Sequence, residues 1–135
     1  MLNLQTSRQA DKQTVLTNAG PQTNWQTVTL EQLAYARSGN KGDNANIGVI
    51  ARKSEFVGII HHQLTAKAVA QYFAHTIKGD VTRFEIPGFN AFNFFMTKAL
   101  GGGGTGSVQI DSQGKTLAQM LLSIPIKIPK ELLEQ

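Results

Sequence analysis

The sequence contains no cysteine, which excludes disulfides and thiolate-ligated metal centres. It has no run of about eighteen apolar residues, so it predicts no membrane-spanning helix and no membrane partner. Residues 1–20 also lack the continuous apolar stretch of a secretory signal peptide. These absences predict a cytoplasmic protein whose fold depends on ordinary apolar packing.

The positive charge of the chain is scattered and forms no basic block. Thirteen Lys and Arg residues against nine Asp and Glu residues give a net charge of +4 at pH 7. No basic run is interleaved with aromatic side chains, and the only tryptophan, Trp25, stands outside any such run. The composition therefore argues against nucleic acid as a partner and is compatible with an anionic small molecule.

The length of 135 residues predicts a single domain preceded by a tail. Residues 1–26 are rich in Gln, Thr and Asn, show no hydrophobic period and contain the turn pair Gly20-Pro21. We expect them to form a flexible polar tail. Residues 27–135 are expected to form one domain with a short C-terminal extension.

The first half of the domain predicts two strands followed by two helices. Residues 28–36 and 46–51 are typical of strands, and residues 37–45 are expected to be a loop between them. A short helix is predicted over 54–62, and a second helix begins after the capping residue Thr65. Its apolar face has helical spacing and comprises Ala66, Val69, Ala70, Phe73 and Ile77, with Gly79 as the stop.

The second half predicts a strand, a third helix and a hairpin. Residues 81–86 alternate with the period of a strand, and residues 91–100 are expected to form a helix that ends at the glycines. Residues 107–111 and 115–126 are expected to pair as a hairpin. The buried face predicted for the third helix comprises Phe92, Phe95, Met96 and Ala99, and Phe94 is predicted to emerge on the other side.

This order of elements predicts an α+β fold, with a mostly antiparallel sheet and helices packed on one of its faces. It does not predict a doubly wound nucleotide-binding fold, because the glycine run follows an element instead of opening a helix after a strand.

The densest group of polar residues lies in the segment 37–46. Glycines at this spacing let backbone N–H groups turn inward, and such a concavity beside cations is suited to phosphate or carboxylate. The alternative is an ordinary hairpin loop, since Gly, Asn, Asp and Ser are common turn residues. Asp43 is the candidate acid or base of this segment. The candidate ligand-binding residues are Arg37, Ser38, Asn40, Lys41, Asn44 and Asn46.

A run of four glycines is the second unusual feature. Gly101, Gly102, Gly103 and Gly104 precede Thr105, and each glycine adds conformational entropy that folding must overcome. Such a run is expected where the backbone adopts positive φ or closely approaches a ligand or another segment. A flexible connector is the alternative. If the fold brings this run near Asp43, the two segments would form one site able to stabilise an oxyanion.

Histidines and phenylalanines are weaker indicators of function. His61 and His62 are adjacent, so they cannot bind one ion together in regular helical geometry, and no metal site is predicted. His75 is expected to be a solvated surface residue. Five of the seven phenylalanines fall between Phe84 and Phe95. Either the predicted third helix is covered on two sides, or Phe94 and Phe89 contact a partner or an apolar ligand, and we expect a symmetric oligomer.

Four segments together resemble a known family. They are AYARSGNKGDNANIGVIAR, AVAQYFAHTIKG, FEIPGFNAFNFFMTKALGGGGT and GKTLAQMLLSIPI, in that order between residues 28 and 126. The chain resembles the ferredoxin-like C-terminal domain family of acyclic terpene utilisation protein A, in its stand-alone form. Relatives usually carry aspartate where this chain has Asn40, which leaves Asp43 as the only carboxylate of the segment 37–46.

The resemblance implies a ferredoxin-like fold and a role in bacterial breakdown of branched or terpenoid acids as coenzyme A thioesters. It implies a separately encoded large subunit as partner and a coenzyme A thioester as the ligand, while no motif requires a cofactor. We expect an accessory domain that binds an anionic or thioester ligand at residues 37–46 beside the glycine run. The alternatives are a small lyase or hydratase with Asp43 as its acid or base, and a purely structural oligomeric interaction module.

Overall fold

A computed structural model describes residues 3–6, 24–99 and 110–133 of the chain. The described residues form strands and helices in a mixed order, with two short 3-10 helices at Leu30–Gln32 and Ser54–Phe56. The strands are β1 (Asn3–Thr6), β2 (Trp25–Thr29), β3 (Ala34–Lys41), β4 (Asn44–Ala51), β5 (Val81–Ile86), β6 (Ala91–Met96) and β7 (Pro125–Pro129). The helices are α1 (Val57–Gln63), α2 (Ala66–Tyr72), α3 (Ile110–Leu121) and α4 (Lys130–Leu133).

Five strands form one antiparallel sheet in the order β1-β5-β6-β4-β3, so β6 is its central strand. Strands β2 and β7 pair separately as a two-stranded antiparallel sheet. Helix α3 packs on β3 and β4, and α2 packs on β5. The prediction of an α+β fold with antiparallel sheets is confirmed.

One face of the five-stranded sheet, here called the inner face, is buried beneath the helices. Because side chains of a strand alternate between the two faces, the buried residues of β3 to β6 recur at every second position. The opposite face is called the outer face. The inner-face residues that are buried are Ala34, Ala45, Ile47, Val49, Ala51, Val81, Arg83, Phe92, Phe94 and Met96.

The two helices predicted in the first half are confirmed, although α2 is shorter than expected. The Thr65 hydroxyl oxygen accepts a hydrogen bond from the backbone N–H of Ala68 at 3.0 Å, as an N-cap does. Helix α2 ends at Tyr72, and Phe73 and Ile77 are buried in the turns that follow. Gly79 lies against Thr97, where an added Cβ would overlap the Thr97 backbone, so this glycine permits a close approach and does not stop the helix.

The helix predicted over 91–100 is wrong, because residues 91–96 form the central strand β6. Their apolar residues fit a helical face, but Phe92, Phe94 and Met96 also fit the period of a strand. Backbone pairing with β4 on one side and β5 on the other decides between the two. Phe92 was assigned to the correct face, whereas Phe94 and Phe95 exchange places: Phe94 is buried and Phe95 lies on the outer face.

The hairpin predicted over 107–126 is also wrong. Residues 110–121 form α3, and residues 107–109 lie outside the described residues. Leu117, Ala118 and Leu121 are buried at helical spacing. Residues 112–114, which the predicted hairpin leaves as its connection, include Gly114, but a single glycine is tolerated inside a helix.

The N-terminal region contains structure that the sequence analysis did not anticipate. Asn3–Thr6, assigned to the tail, forms the edge strand β1, which pairs antiparallel with β5. The single strand predicted over 28–36 is instead three elements, since the 3-10 helix Leu30–Gln32 separates β2 from β3. The predicted tail residues 7–23 lie outside the described residues.

Candidate ligand-binding hairpin

Strands β3 and β4 form a hairpin that contains all six candidate ligand-binding residues of the segment 37–46. The loop predicted over 37–45 is wrong, because the strands pair as far as Lys41 and Asn44 and leave a two-residue turn. Gly42 begins this turn with φ of 62°, the conformation that a type II′ turn requires at its first central position. The backbone of the segment is therefore extended, and the predicted concavity of inward N–H groups is not formed within it.

The alternation of the two strands divides the candidate residues between the faces. The pairing register assigns Arg37, Lys41, Asn44 and Asn46 to the outer face. Ser38 and Asn40 fall on the inner face, opposite Ile47 and Ala45. These four positions are neighbours in the register at the end of the hairpin, and we call them the polar end.

The sheet determines what lies next to Arg37 and Asn46 at the polar end. Arg37 is exposed and lies opposite Gly48 in the register, so no Cβ stands beside it on β4. Asn46 donates a hydrogen bond from Nδ2 to Oδ1 of Asn93 on the central strand at 3.1 Å. An added Cβ at Gly39 would stand 3.2 Å from the Asn46 Oδ1 atom. Because Gly39 has no side chain, there is room beside it for the hydrogen-bonded amides of Asn46 and Asn93.

The predicted second half of the site, Gly101 to Gly104 with Thr105, lies outside the described residues. The nearest described parts of the chain are Ala99 before this run and helix α3 after it. Ala99 donates its backbone N–H to the Asp43 carbonyl oxygen at 2.8 Å, so the chain approaches the glycine run beside the hairpin turn.

The other flank is helix α3. The Leu122 carbonyl oxygen, just past α3, accepts a hydrogen bond from the backbone N–H of Glu31 at 2.9 Å, just before β3. Helix α3 also packs along β3. The helix therefore runs antiparallel to β3, and its first turn is directed toward the hairpin end.

Asp43 occupies the second position of the turn and is half-buried. It belongs to the turn between the polar end and Ala99, whose N–H its carbonyl oxygen accepts. Side chains of His61, His62 and His75 are not among the residues of this hairpin.

A buried ion-pair cluster on the inner face was missed by the sequence analysis. The guanidinium of Arg83 is 2% exposed and donates to the carbonyl oxygens of His61 and Leu64 at 2.8 and 3.0 Å. It also donates to Oε2 of Glu85 at 3.0 Å, and His61 Nε2 lies 3.1 Å from the same oxygen. The cluster joins α1 to β5. No pattern signals it, because Arg and Glu on alternating positions are usually exposed.

The environment of His61 changes its protonation. Partial burial lowers the pKa of His61 below its usual value of 6.5, and the carboxylate of Glu85 opposes this change. The charge of Arg83 and the neighbouring His62 add to the lowering of that pKa. The neutral imidazole is thus favoured in the folded state.

A second feature missed from the sequence is an apolar groove of about 460 Å³ on the outer face. Gly48 and Ala91 form its low floor between larger neighbours, and Asn93 is its polar member. The groove adjoins the polar end, because Gly48 lies opposite Arg37. Its outer-face lining residues are Gly48, Ile50, Phe84, Ile86, Ala91 and Asn93.

Comparison with known proteins identifies the family of the chain. Residues 28–127 match the model of the AtuA ferredoxin-like domain. The chain belongs to this family. The matched part of this AtuA ferredoxin-like domain contains the β3–β4 hairpin, the glycine run and all strands from β4 to β6. No curated protein and no solved structure gives a significant match.

Two further findings concern metal-binding groups and membrane-spanning helices in the described residues. Within 3–6, 24–99 and 110–133, no group of three or more His, Asp or Glu side chains is placed to hold a metal ion. No helix in the same part of the chain has the length and apolar character needed to cross a membrane.

Proposed function

We propose that this AtuA ferredoxin-like domain is an accessory binding domain in the catabolism of branched-chain or terpenoid acids as coenzyme A thioesters. In this proposal the polar end of the β3–β4 hairpin binds the anionic or thioester part of the ligand. The supporting observation is the register that assigns Arg37, Lys41, Asn44 and Asn46 to one face. The thioester chemistry rests on the resemblance to the family.

The proposed contacts follow from the chemistry of these side chains. Arg37 is the cation of the polar end whose side chain the structure describes. A guanidinium binds phosphate or carboxylate through paired hydrogen bonds. The amides of Asn44 and Asn46 supply donors for a carbonyl oxygen. Asn93 holds Asn46 in place through their 3.1 Å hydrogen bond, so that amide is oriented before a ligand arrives.

The glycine run is proposed to complete the site. Backbone N–H groups of Gly101 to Gly104 and the hydroxyl of Thr105 are suited to an anion, because glycines let the backbone approach a ligand closely. The hydrogen bond from Ala99 to Asp43 supports this proposal, since it fixes the chain beside the hairpin turn two residues before Gly101.

We also propose two kinds of protein partner. One is a separately encoded larger protein related to the rest of the AtuA family, because the family implies a larger protein context for this domain. The other is a second copy of the chain, since large apolar side chains such as Tyr35, Ile50 and Phe95 are exposed.

Binding titrations with coenzyme A thioesters test the ligand proposal. Arg37→Ala is expected to raise the dissociation constant at least about tenfold, because one charge-assisted hydrogen bond contributes about 1.5–3 kcal/mol. Arg52→Ala is the matched control, because Arg52 lies beyond the other end of β4 and stacks on Tyr35, with its guanidinium carbon 3.9 Å from the ring centroid. Equal affinity in wild type and Arg37→Ala would contradict the proposal.

A further inference from the structure

The outer face of the five-stranded sheet has the composition of a covered face. An antiparallel sheet with one solvated face normally presents polar side chains on it. Here the rows across the strands contain Tyr35, Ile50, Ala91 and Ile86, and then Arg37, Gly48, Asn93 and Phe84. Tyr35 is 58% exposed and Ile50 is 51% exposed, so the described chain leaves this face without a covering layer.

We propose that a second copy of the chain covers the outer face, with a twofold axis that runs parallel to the central strand β6. Such an axis lays β4 of one copy over β5 of the other, because these strands flank β6 on its two sides. This inference specifies the surface of the proposed homo-oligomer and does not depend on ligand binding.

The register makes the face complementary to itself under this axis. Gly48 of one copy lies opposite Phe84 of the second copy, so the large ring faces the low floor of the groove. Ile50 lies opposite Ile86 in the same manner, which pairs two branched apolar side chains. Asn46 lies opposite Thr82, so a ligand bound at the polar end would lie between the two copies.

Charge and size also favour a second copy. The outer-face positions include two cations, Arg37 and Lys41, and no acidic residue. Both cations lie on the edge strand β3, which this axis places over β1 of the second copy, so the cations do not face each other. The face spans about 24 Å across its strands and about 20 Å along them, so two such faces bury roughly 1,000 Å², which is typical of a small, weak interface.

The absence of cysteine allows a direct test by site-specific cross-linking. Ala91 lies on β6, so Ala91 residues of the two copies face each other at the axis, with the sheets about 10 Å apart. Ala91→Cys treated with a short bismaleimide is expected to form a covalent dimer at micromolar concentration. Ala74→Cys, at an exposed position on the helical side, is expected to form no covalent dimer. Equal cross-linking of the two variants would overturn the proposal.

Sedimentation of the ligand-free protein gives an independent readout. Wild type is expected at twice the chain mass of 14.7 kDa. Ile50→Lys is expected to raise the dimer dissociation constant at least about a hundredfold, because each copy would bury an unpaired charge. Tyr72→Lys, a matched change on the helical side, should leave the dimer intact. A monomeric wild type would overturn the proposal. If that monomer bound a fatty acyl probe and Ile50→Lys did not, the groove would be assigned to a ligand instead.

Discussion

Both faces of the five-stranded sheet carry large apolar side chains, yet only the inner face is covered by the helices of the described chain. Neighbouring residues of the central strand show the contrast: Phe94 is 0% exposed on the inner face, and Phe95 is 38% exposed on the outer face. Large apolar side chains therefore do not distinguish the core from a binding surface in this protein. What distinguishes them is a covering layer. Helices supply this layer on the inner face, and a second copy of the chain is proposed to supply it on the outer face.

The largest expected effect compares these two phenylalanines directly. Phe94→Ala is expected to lower the free energy of unfolding by about 3–5 kcal/mol, because it leaves a cavity between the sheet and the helices. Phe95→Ala should cost less than about 1.5 kcal/mol in the monomer, because its side chain is already partly solvated. Urea denaturation of both variants measures the difference, and similar losses would show that the two faces are equally buried in solution.

A second comparison concerns the charged residues of the two faces. Arg83→Met is expected to lower the free energy of unfolding by about 2–3 kcal/mol, because the carbonyl oxygens of His61 and Leu64 lose their donor. Arg37→Ala, on the outer face, should change it by less than about 0.5 kcal/mol. Urea denaturation again supplies both values. A cost for Arg37→Ala as large as that for Arg83→Met would contradict the assignment of Arg37 to a solvated site.

Asp43→Asn separates the binding and catalytic interpretations of the hairpin. The accessory binding domain predicts that affinity for a coenzyme A thioester changes by less than about tenfold, since the proposed contacts come from Arg37 and the amides. The lyase alternative predicts measurable turnover that Asp43→Asn abolishes while binding is retained. Titration and product analysis of wild type and variant distinguish the two outcomes.

The smallest expected effect is the pH dependence that His61 contributes. Because the folded state lowers the pKa of His61 below 6.5, the unfolded state binds more protons as the pH falls. The contribution of His61 to stability is therefore present above about pH 6.5 and is lost as the pH decreases through the lower, folded pKa. His61→Gln should flatten the stability profile between about pH 7 and 5, and His75→Gln is the control.

The two helices in the first half of the fold could be predicted from the sequence because their signals are local. The cap at Thr65 and the spacing of Ala66 and Val69 define α2 without reference to any other segment. The β6 strand could not be predicted in this way, since its apolar residues fit both a helix and a strand. Pairing with β4 and β5, which are distant in sequence, decides its structure.

The geometry of the candidate site could not be predicted for the same reason. The composition of residues 37–46 predicted a loop between two strands, but only the register shows that Arg37 and Asn46 share a face while Ser38 and Asn40 lie on the other. The partnership of Asn46 with Asn93 joins residues 47 positions apart, and no local pattern signals it. The groove was missed because Gly48 and Ala91 come together only in the sheet.

Thermal unfolding with and without coenzyme A thioesters tests the central claim, that the polar end of the hairpin binds this ligand class. A ligand that binds only the folded state must raise the midpoint, by an amount that increases with its concentration. We expect a rise for wild type that is absent in the Arg37→Ala, Lys41→Ala double variant. No rise for wild type with any thioester, or an equal rise in the double variant, would contradict the account.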